Sequence, residues 1–271
     1  MASSGPTGSV NEVIELSTSS TLATVTINRP SKLNALNFGM WEKISTIFMD
    51  LNNRSDIRCI ILQGSGDVAF GPGADITEFE TKRKNSEQAK EYGKVMHSAM
   101  ESIRNCRHPV LAKINGLCVG GSLELALVCD IRVASENSKF GVPVNKLGLV
   151  MARSEAEALV RLVGTQFSLE ILLEGRVFDA HEAKEKGLLN RLVPNNRLDS
   201  EVDKIASNIC AGAPLVNQWH KKIIHRIMDT LREDVSKRED QVDDFSCFDT
   251  KDFREGVRTF LNKKDPVFKG K

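Results

Sequence analysis

Two glycine-rich turns and one acidic residue carry most of the chemistry this sequence can offer. In Gly120-Gly121-Ser122-Leu123-Glu124, an apolar run that starts at Pro109 breaks at paired glycines and restarts as a short helical segment. Glycines let backbone N–H groups turn toward a ligand, and the positive end of the new helix favours negative charge in front of it. The corner therefore reads as an anion site, with Glu124 in the first helical turn beside it. A carboxylate there can move a proton. It can equally be the third helical residue after a Gly121 N-cap, complementing the helix dipole. The dipole is expected to keep it ionised, a base rather than a proton donor. The second turn, Gln63 to Ile76, contains Phe70-Gly71-Pro72-Gly73-Ala74-Asp75-Ile76.

Other reactive residue types fall into blander settings. His97, His108, His181, His220 and His225 show no metal-ligand spacing and read as solvated or locally hydrogen-bonded; no metal site is expected. Ser122 fails the G-x-S-x-G nucleophile elbow because position 124 is Glu, so it reads as a small residue at a helix start. Six scattered cysteines without a C-x-x-C pair read as free core thiols in a reducing compartment. Lys82-Arg83-Lys84 reads as a solvated surface cluster, with weak attraction for the phosphates of a ligand as the alternative.

The elements that must position the two turns can be read from periodicity. Leu22–Asn28 alternates as a half-buried strand, and Met40, Trp41, Ile44, Ile47, Phe48 and Leu51 have helical spacing. Ile57–Leu62 is a near-continuous apolar strand. A helix with Tyr92, Val95, Met96, Ala99, Met100 and Ile103 on one face precedes the opening run, and Ile131–Ala134 is a short strand after it. This order is that of repeated ββα units in an α/β fold. From Ser154 the pattern is mainly helical, with Gly175 as a stop, Asp179 as an N-cap and Leu188–Val193 as a last strand. Residues 1–9 read as a flexible leader, 10–197 as the ββα core, and 198–271 as a helical region including the charged stretch Lys237 to Asp244.

The bulk numbers exclude several classes. The chain has 271 residues, 41% hydrophobic and 27% charged, with a formal net charge of +1. That composition is ordinary for a globular protein and argues against nucleic acid or an anionic membrane as partner. No window of ~18 uninterrupted apolar residues suggests a membrane span. The N-terminus lacks the apolar core of a signal peptide and the arginines of a transit peptide, so the cytoplasm is the expected compartment.

Phe70–Ile76 and Ile114–Ile131 closely resemble the two signature segments of the crotonase, or enoyl-CoA hydratase/isomerase, superfamily. Thr26–Pro30, Leu33–Leu36, Ala180–Val193 and Asp252–Val257 resemble it as well, so the likeness runs from about Val10 to the C-terminal region. The resemblance implies a crotonase-like spiral of ββα units with a C-terminal helical trimerisation region, as a homotrimer or a dimer of trimers. It implies an acyl-CoA substrate, with coenzyme A arriving as part of the thioester and no permanently bound cofactor. By the same resemblance, the amides of Ala74 and Gly121 form the oxyanion hole for a thioester enolate. Leu33, Ala35, Ala74, Asp75, Ile76 and Thr77 flank the coenzyme, and Lys269 reaches its phosphates.

In hydratases of this family one glutamate lies in the helix after the glycine corner and a second about twenty residues later. Glu124 matches the first, which gives it an acid/base role. The second position holds Val144, which cannot activate water. Arg153, Ser154 and Glu155 offer replacement groups, but Ser154 with Glu157 also forms an ordinary capping box, and that structural reading is favoured. Pro143-Val144-Asn145 resembles the corresponding stretch of methylmalonyl-CoA decarboxylase, a member that also lacks the second glutamate. The expected function is an acyl-CoA enzyme working through a thioester enolate, an enoyl-CoA hydratase or lyase of fatty-acid type. A decarboxylase, isomerase, thioester hydrolase or non-catalytic acyl-CoA-binding member are the alternatives. RNA binding, known in one branch, is disfavoured by the near-neutral charge. The resemblance also places the helix that carries His97 near the pocket, which keeps His97 as a candidate there.

Overall fold

The computed structural model describes residues 13–236 and 245–270; the expected leader and the stretch 237–244 lie outside them. The chain opens with a hairpin of β1 (Val13–Ser19) and β2 (Leu22–Asn28), then α1 (Phe38–Asn53). Next come β3 (Cys59–Gly64), β4 (Ala69–Gly71), α2 (Phe79–Lys82) and α3 (Ser86–Asn105). β5 (Val110–Ile114) and β6 (Leu117–Val119) lead to α4 (Gly121–Val128). β7 (Ile131–Ser135) and β8 (Lys139–Gly141) lead to α5 (Arg153–Glu174). β9 (Val177–Asp179), α6 (Ala180–Glu185) and β10 (Arg191–Val193) follow, and α7 (Leu198–Ala211), α8 (Pro214–Ser236) and α9 (Lys251–Leu261) complete the described fold.

The expected ββα repeat is present, and it feeds two sheets. The long sheet has the order β1-β2-β3-β5-β7-β10 and the short sheet β4-β6-β8-β9. In three successive units the first strand joins the long sheet and the second joins the short one. Pairing is parallel except in the β1–β2 and β8–β9 pairs. β4, β6 and β8 are three residues each, too short for a period-two signal, which is why the sequence reads as glycine loops at β4 and β6.

Local chemistry explains the helix starts. Asn37 and Asn85 each accept a backbone N–H three residues on, from Met40 and Gln88. Asp179 caps α6 through the Glu182 N–H, while the Glu182 carboxylate pairs with Arg176. The main core lies between the long sheet and the helices, with Trp41, Phe48, Phe70 and Tyr92 among its fully buried side chains. α7 closes the other face of that sheet, setting Leu198, Val202 and Ile205 against Cys59, Ile61, Leu111 and Val133. Burying one such side chain contributes about 1.5–3 kcal/mol, so the helical region that begins at 198 packs as part of the core. α8 is held by Lys221, whose ammonium reaches Asp130 at 2.7 Å. Among the described residues no helix is long and apolar enough to cross a membrane.

Three expectations change. The N-cap of α4 is Gly120 rather than Gly121, which makes Glu124 the fourth helical residue. The last strand spans only Arg191–Val193, because Leu188 and Leu189 are buried in the turn after α6. The N-cap of α5 is Ala152, not Ser154, and Glu155 rather than Glu157 reaches back to the cap.

Candidate functional site

The two glycine turns meet. Leu36 bridges to the second turn, donating its N–H to Gly73 O and accepting from the Asp75 N–H, both at 2.8 Å. That ladder leaves the Ala74 N–H outside it. Gly73 sits at φ +100°, and its N–H donates to the Ser122 hydroxyl at 3.0 Å. A Cβ on Gly73 would lie 2.9 Å from the Gly121 nitrogen, and one on Gly121 would lie 3.6 Å from the Ala74 nitrogen and 3.2 Å from the Trp41 ring. The two amides therefore adjoin, with no room for a side chain between the turns. α4 begins at Gly121 with no side-chain cap, so its first N–H groups are not taken by one.

The flanking residues are tied to this junction in different ways. Arg29 donates to Ala35 O at 3.3 Å and pairs with Asp75 at 2.7 Å. Burial pushes the Asp75 carboxyl up, yet hydrogen bonds from Thr77 and Arg29 outweigh it and hold it below its ordinary value. Leu33 and Thr77 are exposed beside the turn. Ala74, Ile76, Gly121 and Glu124 line one cavity of about 470 Å³, which Leu33, Ala35, Asp75 and Thr77 do not enter. Lys269 stands apart from that lining, its backbone N–H bound to Asp252.

Glu124 is 4% exposed. Its burial, and the nearby negative charge of Glu155, push its carboxyl well above the ordinary range, with Arg83 pulling the other way. Burial and Glu155 thus act against the helix dipole, toward the neutral, proton-carrying form. Glu155 is 6% exposed and lines the same cavity. One of its oxygens accepts from the Ala152 N–H at 2.8 Å, and the other lies 2.8 Å from Nε2 of His97. Of the three residues considered as replacements at the start of α5, Glu155 alone enters this cavity. Arg153 turns to Glu157, and Ser154 is exposed. Glu124 and Glu155 also border a second cavity of about 720 Å³, so the pair stands in the wall between two spaces.

Val144 lines the first cavity where the second glutamate was expected. Its neighbour Asn145 has a structural task, donating to Leu173 O at 2.7 Å beside Gly175, where a Cβ would come within 2.0 Å of the amide oxygen.

The roles of Ser122 and Arg83 escape the sequence reading, and Glu155 is weighed there but not favoured. Ser122 is the acceptor that locks the two turns together. Glu155 shares a buried face with Leu159, four residues on, a signal present in the sequence. Arg83, read as solvated, is buried in the cavity wall, whereas Lys82 and Lys84 are exposed as expected.

A spiral of ββα units whose paired glycine turns bring two amides beside a buried carboxylate is the architecture of the crotonase superfamily. The family model for enoyl-CoA hydratase/isomerase matches residues 17–271, and the chain belongs to that family. It is 34% identical over 249 residues to the crotonyl-CoA hydratase of Syntrophomonas wolfei, spanning 91% of this chain and 94% of that one. An enoyl-CoA hydratase/carnithine racemase structure from Magnetospirillum magneticum shares 45% identity at a TM-score of 0.80, covering 97% of both chains. Methylmalonyl-CoA decarboxylase in complex with 2-nitronate-propionyl-CoA shares 26% identity at a TM-score of 0.82, covering 95% of this chain and 98% of that one.

Proposed function

We propose that the protein hydrates a 2-enoyl-CoA thioester, using Glu124 and Glu155 as the two carboxylates and the amides of Ala74 and Gly121 as the oxyanion hole. The observation that carries this reading is Glu155 standing beside Glu124 in the cavity that Ala74 and Gly121 also line. Two carboxylates in one desolvated site divide a single proton between them.

Glu155, held by the Ala152 N–H and His97, takes a proton from water as the water oxygen bonds to C3 of the enoyl group. The C2–C3 π electrons move onto the thioester oxygen, where the two amides meet the developing charge. Glu124 then gives its proton to C2, and the thioester carbonyl re-forms. The sum is addition of one water, and passage of the proton from Glu155 to Glu124 resets the pair. Fixed backbone donors cost no reorganisation as the charge appears, and one such donor is worth roughly 10²–10³ in rate.

Leu33, Ala35 and the Asp75–Thr77 segment border the coenzyme, and Lys269 is the candidate for its phosphates. Trp219, Ile223 and Ile227 are exposed on α8, an apolar face suited to contact between copies in a homotrimer or a dimer of trimers. Glu155→Gln tests the assignment: hydration of crotonyl-CoA, followed by loss of the enoyl thioester absorbance, is expected to fall about 10³-fold in kcat. Unchanged turnover sinks the role of Glu155. Release of carbon dioxide from methylmalonyl-CoA without hydration of any enoyl-CoA would put the decarboxylase reading in its place.

A further inference from the structure

Arg83 lines the same cavity but has no part in the proton steps. It is 8% exposed, and its guanidinium lies over three rings, Phe79 at 4.6 Å and Tyr92 and Phe248 at 4.8 Å each. Its side chain makes no hydrogen bond and no close ion pair among the described residues, and its Nε is fully buried without a partner. Lys82, one residue earlier, pairs with Glu78 instead.

This is an unusual way to keep a guanidinium. Ring faces return only part of the hydration that a buried guanidinium loses, and its planar fork of donors suits a carboxylate. The acidic groups nearby make no hydrogen bond to it: Glu155 is taken by Ala152 and His97, and Glu124 acts on it only through space. Ile76, Met96, Leu149 and Phe245 also line this cavity, and Lys146, its other cation, is exposed where Arg83 is buried. An acyl chain in that cavity meets one buried cation that has no hydrogen-bond partner.

Resting on the acyl-CoA reading above, we propose that Arg83 binds a carboxylate at the far end of the acyl group. The substrate class is then the coenzyme A monothioester of an unsaturated dicarboxylic acid. A phosphate of the coenzyme itself fits less well, because the cation lies inside an aromatic cage, while Lys82 and Lys84 remain outside it.

Adipyl-CoA and hexanoyl-CoA differ at the chain end by this one carboxylate, and neither can be hydrated. Calorimetric titration of the full-length protein should show adipyl-CoA binding tighter by roughly 10²-fold, the loss expected when a buried charge pair is broken. Arg83→Met should remove the preference, and Arg83→Lys should keep part of it. Equal affinities in the wild type overturn the proposal without any variant; so does a folded Arg83→Met protein that retains the preference. Turnover of hex-2-enedioyl-CoA and hex-2-enoyl-CoA is read separately. A carboxylate preference in binding without hydration keeps Arg83 and removes the hydratase reading, whereas hydration without that preference does the reverse.

Discussion

The amide half of the site and the carboxylate half are held by different kinds of contact. The amides are fixed by backbone and one hydroxyl: the Leu36–Ala74 bridge, the Gly73 N–H donating to the Ser122 hydroxyl, and glycines packed too closely for a Cβ. The carboxylates are side chains from separate helices, Glu124 on α4 and Glu155 on α5, with His97 of α3 behind the second. Charge stabilisation requires donors in one place before the reaction starts, which backbone supplies. Proton transfer requires only that a carboxylate border the cavity, and more than one element can supply it. On the proposed reading, Val144 leaves one wall without a carboxylate while Glu155 supplies one from another.

The sharpest way to break this contrast is to remove both carboxylates. Glu124→Gln combined with Glu155→Gln should cost about 10³-fold in kcat, little more than either change alone, because the pair works as a unit. Losses that multiply would show two independent groups. On the amide side, Ser122→Ala leaves the Gly73 N–H without its acceptor. We expect kcat to fall roughly 10-fold with KM little changed, a fraction of the loss for a full oxyanion donor. A change confined to KM would make Ser122 a binding residue.

The smallest effect is on stability. The Glu124 carboxyl is raised above its ordinary value of 4.5 in the folded protein by burial and Glu155. Its contribution is therefore fully present below that ordinary value and is lost as pH rises through the raised one. Glu124→Gln has no such loss. The melting temperature of the wild type minus that of the variant should fall by a few degrees as pH rises, about 2–4 °C per kcal/mol for a chain of this size. A difference that stays flat would return Glu124 to the role of an ionised base.

The two glycine turns can be read from the sequence because Gly73, Gly120 and Gly121 announce turns wherever they stand. Ala74 and Gly121 are singled out within those turns by the family resemblance alone. The short sheet cannot be read in the same way, since three-residue strands carry no period. Glu155 is ambiguous because a glutamate at the third position of a helix is ordinary; only its alignment with Leu159 on the buried face marks it. Arg83 lies between two lysines that are exposed, and the rings that cage it come from residues 79, 92 and 248. No local pattern can report a neighbour more than 160 residues away.

Phe245, Phe248 and Phe260 form part of the wall around the carboxylates, although Ala74, Glu124 and Glu155 all precede them by ninety residues or more. During synthesis the reactive groups thus exist well before the pocket that shields them from bulk water. The wall is complete only once the aromatic residues at 245–260 have emerged and docked. A chain cut short at α8 lacks these three rings and is expected to hold thioesters more weakly.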